Sequence, residues 1–211
     1  MEIFDIQTIA FCLWGYALSW LELLAVFTGI IAVYLASKGN VINFYIGLVN
    51  NVLYFALFYQ YQLYSMMLLQ VVYFVISSYG IYSWSQGNEA NEKLKITELT
   101  THQRLLLVGL IFIVGVIWGA VVRYFSGLFP DHVVEARYPF VDALLTIASI
   151  VGQLLLTRKK LENWLLWILV NVGSVMLYLS VGMYFTTLLY VLYLVIAIQA
   201  YWSWKKQMKS V

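Results

Sequence analysis

Seven runs of apolar residues, at about 20–37, 42–60, 63–84, 104–125, 140–157, 163–181 and 183–204, leave this chain few folds to choose from. Each is long enough to cross the hydrocarbon core of a bilayer, which takes roughly 20 residues of helix. Lipid offers the backbone no hydrogen bonds, so a spanning segment of this length must be helical. Composition agrees: 63% of the 211 residues are hydrophobic and 10% are charged, against about 25% charged in a soluble domain. The expected fold is all-α and integral to the membrane, with seven transmembrane helices. Residues 1–19 are weaker, holding Glu2, Asp5 and an aromatic patch. They are expected to form an interfacial helix in the headgroup region, with an eighth span as the other reading. Their acidic start argues against a cleaved signal peptide.

Basic residues set the orientation. With seven spans, ten of the twelve Lys and Arg fall on one side of the membrane, leaving Arg123 and Arg137 on the other. Cytoplasmic segments carry the excess, so the N-terminus is expected outside and the C-terminus inside. Residues 85–103 are then the polar cytoplasmic loop, and 124–139, with Pro130 and Pro139, the outer loop.

Shifted by 120 residues, the chain matches itself: 22–84 falls on 142–204 without a gap. Glu22 meets Asp142, Asn43 meets Asn163, Asn51 meets Asn171, Tyr73 meets Tyr193, and Ser83–Trp84 meets Ser203–Trp204. A duplicated three-helix unit would invert its second copy, but the fourth span restores the orientation. The expected layout is an interfacial segment (1–19), a first three-helix repeat (20–84), the loops with the fourth helix (85–139), a second repeat (140–204) and a cytoplasmic tail (205–211). Parallel repeats of this three-plus-one-plus-three kind suit a transporter that holds its substrate between the halves near the midplane.

The net charge of +2 is too small to imply nucleic acid, and Cys12 is the lone cysteine. His102 and His132 stand far apart, no metal-ligand spacing occurs, and no phosphate-binding glycine loop is present, so neither metal nor cofactor is expected. The spans hold no paired acids and no Ser/His pair, which argues against an enzyme. Residues three, four and seven apart share a helix face. Trp164, Trp167, Asn171, Ser174 and Tyr178 follow that spacing, flanked by Asn163. An amide at membrane depth needs a neighbouring helix or a ligand, and both readings stand at this level. The first copy keeps Asn43 and Asn51 but places Phe44 and Gly47 where the second has Trp164 and Trp167. Gln70, whose counterpart is Tyr190, lies mid-span, with Tyr73 and Tyr193 three residues further on. Glu22 and Asp142 open the first and fifth spans, as helix caps or as a negative outer mouth that favours a cation. No acid, Lys or His occupies the middle of a span, which favours passive facilitation over ion coupling.

"RKKLENWLLW" (158–167), "LSWLE" (18–22), "QLYSMMLLQ" (62–70) and "YGIYSWS" (79–85) resemble the PnuC family of bacterial nicotinamide riboside transporters. The resemblance covers about 18–204, and the tryptophan pair is similar to that family's WxxW motif. It implies a fold like a full-length relative of the SWEET sugar transporters, a homotrimer, the bacterial inner membrane, and uptake by facilitated diffusion with trapping by cytoplasmic phosphorylation. It also implies Trp164, Trp167, Asn171 and Gln70 as substrate-binding residues. Thiamine and riboflavin are carried by relatives and stay open as substrates, as does a neutral sugar. Tryptophan faces attract a desolvated cation such as a pyridinium by about 2 kcal/mol, and the amides suit ribose hydroxyls and a carboxamide.

Overall fold

A computed structural model describes residues 5–13, 16–61, 64–85, 94–128, 138–180 and 182–209. Residues 86–93 of the loop expected on the cytoplasmic side (85–103), and most of the expected outer loop (129–137 of 124–139), lie outside the described residues. The chain forms two compact units, residues 1–94 and 95–211. Among the described residues, seven helices are long and apolar enough to cross a membrane.

In the first unit α1 (Trp20–Ser37), α2 (Ile42–Gln60) and α3 (Tyr64–Ser85) pack in chain order. Helix α1 starts at the expected capping box: Ser19 Oγ accepts from the Glu22 N–H, and the Glu22 carboxylate accepts from the Ser19 N–H. Leu21 and Ala25 of α1 pack on Leu53 and Leu57 of α2, and Ile6 closes that cluster. Asn50 braces the same pair, donating from Nδ2 to the Ala25 carbonyl at 2.6 Å and to Thr28 Oγ1 at 3.0 Å. On α3, Gly80 lets the Phe44 ring of α2 lie directly against the backbone, where any Cβ would collide with it.

The expected interfacial helix is not what precedes α1. Strands β1 (Ile9–Leu13) and β2 (Tyr16–Ser19) pair antiparallel instead. Strands favour aromatic and β-branched residues, which Ile9, Phe11 and Tyr16 supply, and glycine at position 15 is a poor helix former. The Ile6 N–H donates to Gln60 Oε1 at 3.0 Å, and the Trp20 N–H to the Thr8 carbonyl at 3.2 Å, so this segment is tied to the ends of α1 and α2.

In the second unit α4 (Thr101–Leu128), α5 (Pro139–Thr157), α6 (Glu162–Ser180) and α7 (Tyr184–Lys209) pack in chain order. Helix α4 begins three residues earlier than its apolar run. Thr100 and Gln103 cap it reciprocally, each side chain accepting from the other's backbone N–H. Pro139 occupies the first turn of α5, where its missing N–H costs nothing. Gly115 and Gly119 of α4 bring that helix onto Leu144 and Phe140 of α5, the close approach that small residues allow in lipid. Ile111, Ala148 and Val170 form a cluster joining α4, α5 and α6. Helix α7 runs on to Lys209, so residues 205–209 continue the last helix rather than forming a separate tail. Large apolar side chains such as Phe112, Ile113 and Ile117 point outward from α4, as a lipid-facing helix requires.

The turns before α2 and α6 need a left-handed residue. Gly39 supplies it at φ 67°, and Lys159 supplies it at φ 47°. Side chains cost roughly 1–2 kcal/mol in that conformation, so the second turn carries strain that the first avoids.

Candidate functional site

Helix α6 begins at Glu162 and immediately presents Asn163 and Trp164, both fully buried. Asn163 Nδ2 donates to the Lys160 carbonyl at 2.6 Å, closing the turn that starts the helix. Its Oδ1 has no partner among the described residues. Trp164 is 1% exposed and meets Trp204 of α7 edge-to-face, with ring centroids 5.5 Å apart. The Trp164 indole N–H is buried and likewise has no partner among the described residues. Trp167, one turn further, is half-buried and packs partly on the α4–α5–α6 cluster. Its indole lies beside Gly152 of α5, where a Cβ would stand 3.5 Å from Nε1. Asn171, a further turn along, is buried with Ser174.

Toward the far end of α6, Tyr178 stacks on Tyr190 of α7 at 5.2 Å between centroids, and Tyr193 meets Tyr190 edge-on at 6.0 Å. The structure thus brings Tyr190 and Tyr193 together, with Tyr178 as a third ring. Asp142 is exposed on the first turn of α5.

In the first unit, Asn43 Nδ2 donates to the Asn40 carbonyl at 2.5 Å, and Phe44 meets Trp84 edge-to-face at 4.9 Å. Asn51 is buried mid-helix, and its Nδ2 has no partner among the described residues. Gln70 is buried in α3 and makes a long 3.4 Å contact with the Met66 carbonyl. Tyr73 is half-buried one turn on. Glu22, besides capping α1, accepts from the Tyr61 hydroxyl at 3.2 Å. Burial, and then that carboxylate, raise the Tyr61 phenol above its ordinary pKa.

Three features escaped the sequence reading. Trp204 packs on Trp164, and Trp84 on Phe44; the repeated Ser–Trp pair was the available sign. Gly152 stands beside the Trp167 indole, which even an added Cβ would meet at 3.5 Å, an ordinary contact distance. Arg104 reaches Glu162 across 58 residues of sequence, at 2.9 Å from Nε to Oε1, and nothing local announces that pair.

The sequence profile described as nicotinamide mononucleotide transporter matches residues 19–206 of this chain. The chain belongs to that family. Within the nicotinamide mononucleotide transporter family, it is 32% identical to the nicotinamide riboside transporter PnuC of Escherichia coli K12, over 97% of this chain and 94% of that protein. The corresponding transporter of Neisseria mucosa is 31% identical, over 90% of this chain and 74% of its own length. The crystal structure of a vitamin B3 transporter, PnuC, superimposes with a TM-score of 0.68 at 29% identity, covering 90% of this chain and 83% of that one. The family resemblance read from "ENWLLW" is therefore shown. The family is one of multi-pass membrane transporters, and this chain is not an enzyme.

Proposed function

We propose that this protein takes up nicotinamide riboside by facilitated diffusion. Asn51 carries the reading. Its amide is buried in the middle of a span with Nδ2 unpartnered among the described residues, and an unsatisfied buried donor costs about 1–3 kcal/mol. A ligand hydroxyl or carbonyl relieves that cost. In the second unit Asn171 sits at the equivalent register, with Trp167 one turn away. Trp167 offers a π face to the pyridinium; Trp164, Asn163, Tyr190 and Tyr193 in the second unit, and Asn43, Gln70 and Tyr73 in the first, are the further candidate binding residues. All are neutral, which suits the riboside better than the mononucleotide, whose phosphate would call for Arg or Lys.

The repeat reading is supported unit by unit. Helix α2 spans Ile42–Gln60 and α6 spans Glu162–Ser180, bounds exactly 120 apart in number. Asn43 and Asn163 make the same bond to the third residue before them. Phe44–Trp84 and Trp164–Trp204 make the same edge-to-face contact. The architecture is three plus one plus three, in the inner membrane, with the N-terminus outside, the C-terminus inside and three copies per assembly. Glu22 and Asp142 favour cations at the outer mouth, and cytoplasmic phosphorylation traps the vitamin. Calorimetric titration of the purified chain with nicotinamide riboside, thiamine, riboflavin and nicotinamide tests the assignment. The riboside should bind tightest, and preference for thiamine or riboflavin would overturn it.

A further inference from the structure

A carboxylate opening a helix is ordinarily solvated; Glu162, the first residue of α6, is 5% exposed. Its Oε1 accepts from the Leu99 N–H at 2.9 Å and from Arg104 Nε at 2.9 Å, with Arg104 Nη2 at 2.8 Å. The same Nη2 also pairs with Glu98 at 2.9 Å, a contact between two exposed side chains. The backbone repeats the grip: the Thr97 N–H donates to the Lys159 carbonyl at 3.1 Å, and the Leu161 N–H to the Thr97 carbonyl at 2.9 Å. Residues 97–104 thus hold the α5–α6 turn by main chain and side chain together. That turn is the one kept left-handed by Lys159. The first unit has glycine at that register and Ile42 where the second has Glu162.

We propose that Arg104, with the main chain of Thr97 and Leu99, is a positioning device for the substrate-binding helix, acting through Glu162. The proposal rests on the reading of Trp164, Trp167 and Asn171 as binding residues. Arg104 is 45% exposed while Glu162 is buried, and an ion pair with a solvent-exposed partner adds little stability. Its use is to fix one geometry, and a strained residue held beside it persists only where surroundings over-determine it. The geometry fixed here is the start of α6. Trp167 lies five residues along, about 7.5 Å of helix rise, so a tilt or rotation of the helix start moves its indole relative to Gly152.

The test is titration of the full purified chain with nicotinamide riboside, with the melting temperature measured in parallel. Arg104→Ala should weaken binding by about tenfold, the lower end of the loss that follows when the partner orienting a metal ligand is removed, and added guanidinium, but not sodium, should restore part of it. Glu98→Gln, which touches only the exposed arm, should leave affinity nearly unchanged. If Arg104→Ala lowers the melting temperature while its affinity matches the parent's, the cluster is a brace only and the proposal fails. Where Arg104→Ala does not yield folded protein, Arg104→Lys decides: it keeps the charge but loses the fork, and unchanged affinity overturns the proposal. The parent's own titration judges the proposed substrate separately. If it binds thiamine or riboflavin instead, the same variants are compared on that ligand.

Discussion

Trp164 and Trp167 share a face of α6 but differ in setting. Trp164 is enclosed against Trp204, whereas Trp167 is half-buried beside Gly152. Removing a buried tryptophan costs about 3–5 kcal/mol. Trp164→Ala should therefore lower the melting temperature of the purified protein sharply. Trp167→Ala should lower it less and weaken nicotinamide riboside binding more than Phe44→Ala does. Only the second unit carries the tryptophan pair; the first has Gly47 at the register of Trp167. Equal losses of affinity from Trp167→Ala and Phe44→Ala, measured by calorimetry on folded protein, would argue against an asymmetric site. Asn43 and Asn163 divide their amides in a similar way. Each spends its NH2 on closing a turn, which leaves the carbonyl oxygen as the group able to face a ligand.

Among the elements, α4 depends on its glycines. Gly115 and Gly119 stand a turn apart and face Leu144 and Phe140, whose Cα atoms lie 3.2 and 3.1 Å from where a Cβ would sit. Gly115→Ala with Gly119→Ala should push α4 off α5 and cost about 1–3 kcal/mol, as overpacking does. Thermal unfolding in detergent would register it, and an unchanged melting temperature would contradict the close packing. The helices themselves were legible because lipid demands long apolar runs, so the ends of α1 and α2 fall where hydropathy stops. The start of α4 was not, because Thr100 and Gln103 form their cap in polar sequence. The β1–β2 hairpin was missed for a different reason. Ile9–Ser19 is apolar and aromatic but too short for its period to separate a strand from an interfacial helix. The asparagines and tryptophans of the site stood out as misfits in lipid. Trp204, which packs on Trp164, and Arg104, which pairs with Glu162, did not, since contacts across helices leave no local trace in sequence.

For the whole molecule, the proposed negative outer mouth can be tested by charge removal. Glu22 caps α1 and holds Tyr61, while Asp142 is exposed on α5. Glu22→Gln with Asp142→Asn should slow uptake of nicotinamide riboside at low salt and have less effect at high salt, because exposed charges are screened over about 8–10 Å. Uptake that is unchanged at every ionic strength would leave both acids as structural groups alone.

The central claim is that transport is passive. No Asp, Glu, Lys, Arg or His lies in the central third of any span, and coupling to protons or sodium generally uses such groups. A cationic substrate also follows the membrane potential, worth about 2.3 kcal/mol per charge per 100 mV, so the potential must be clamped near zero. The decisive measurement is the final level of labelled nicotinamide riboside in clamped proteoliposomes, with and without a pH step. Equal concentrations inside and out, whichever way the step runs, are the predicted result. Accumulation above the outside level that follows the pH step would contradict the account.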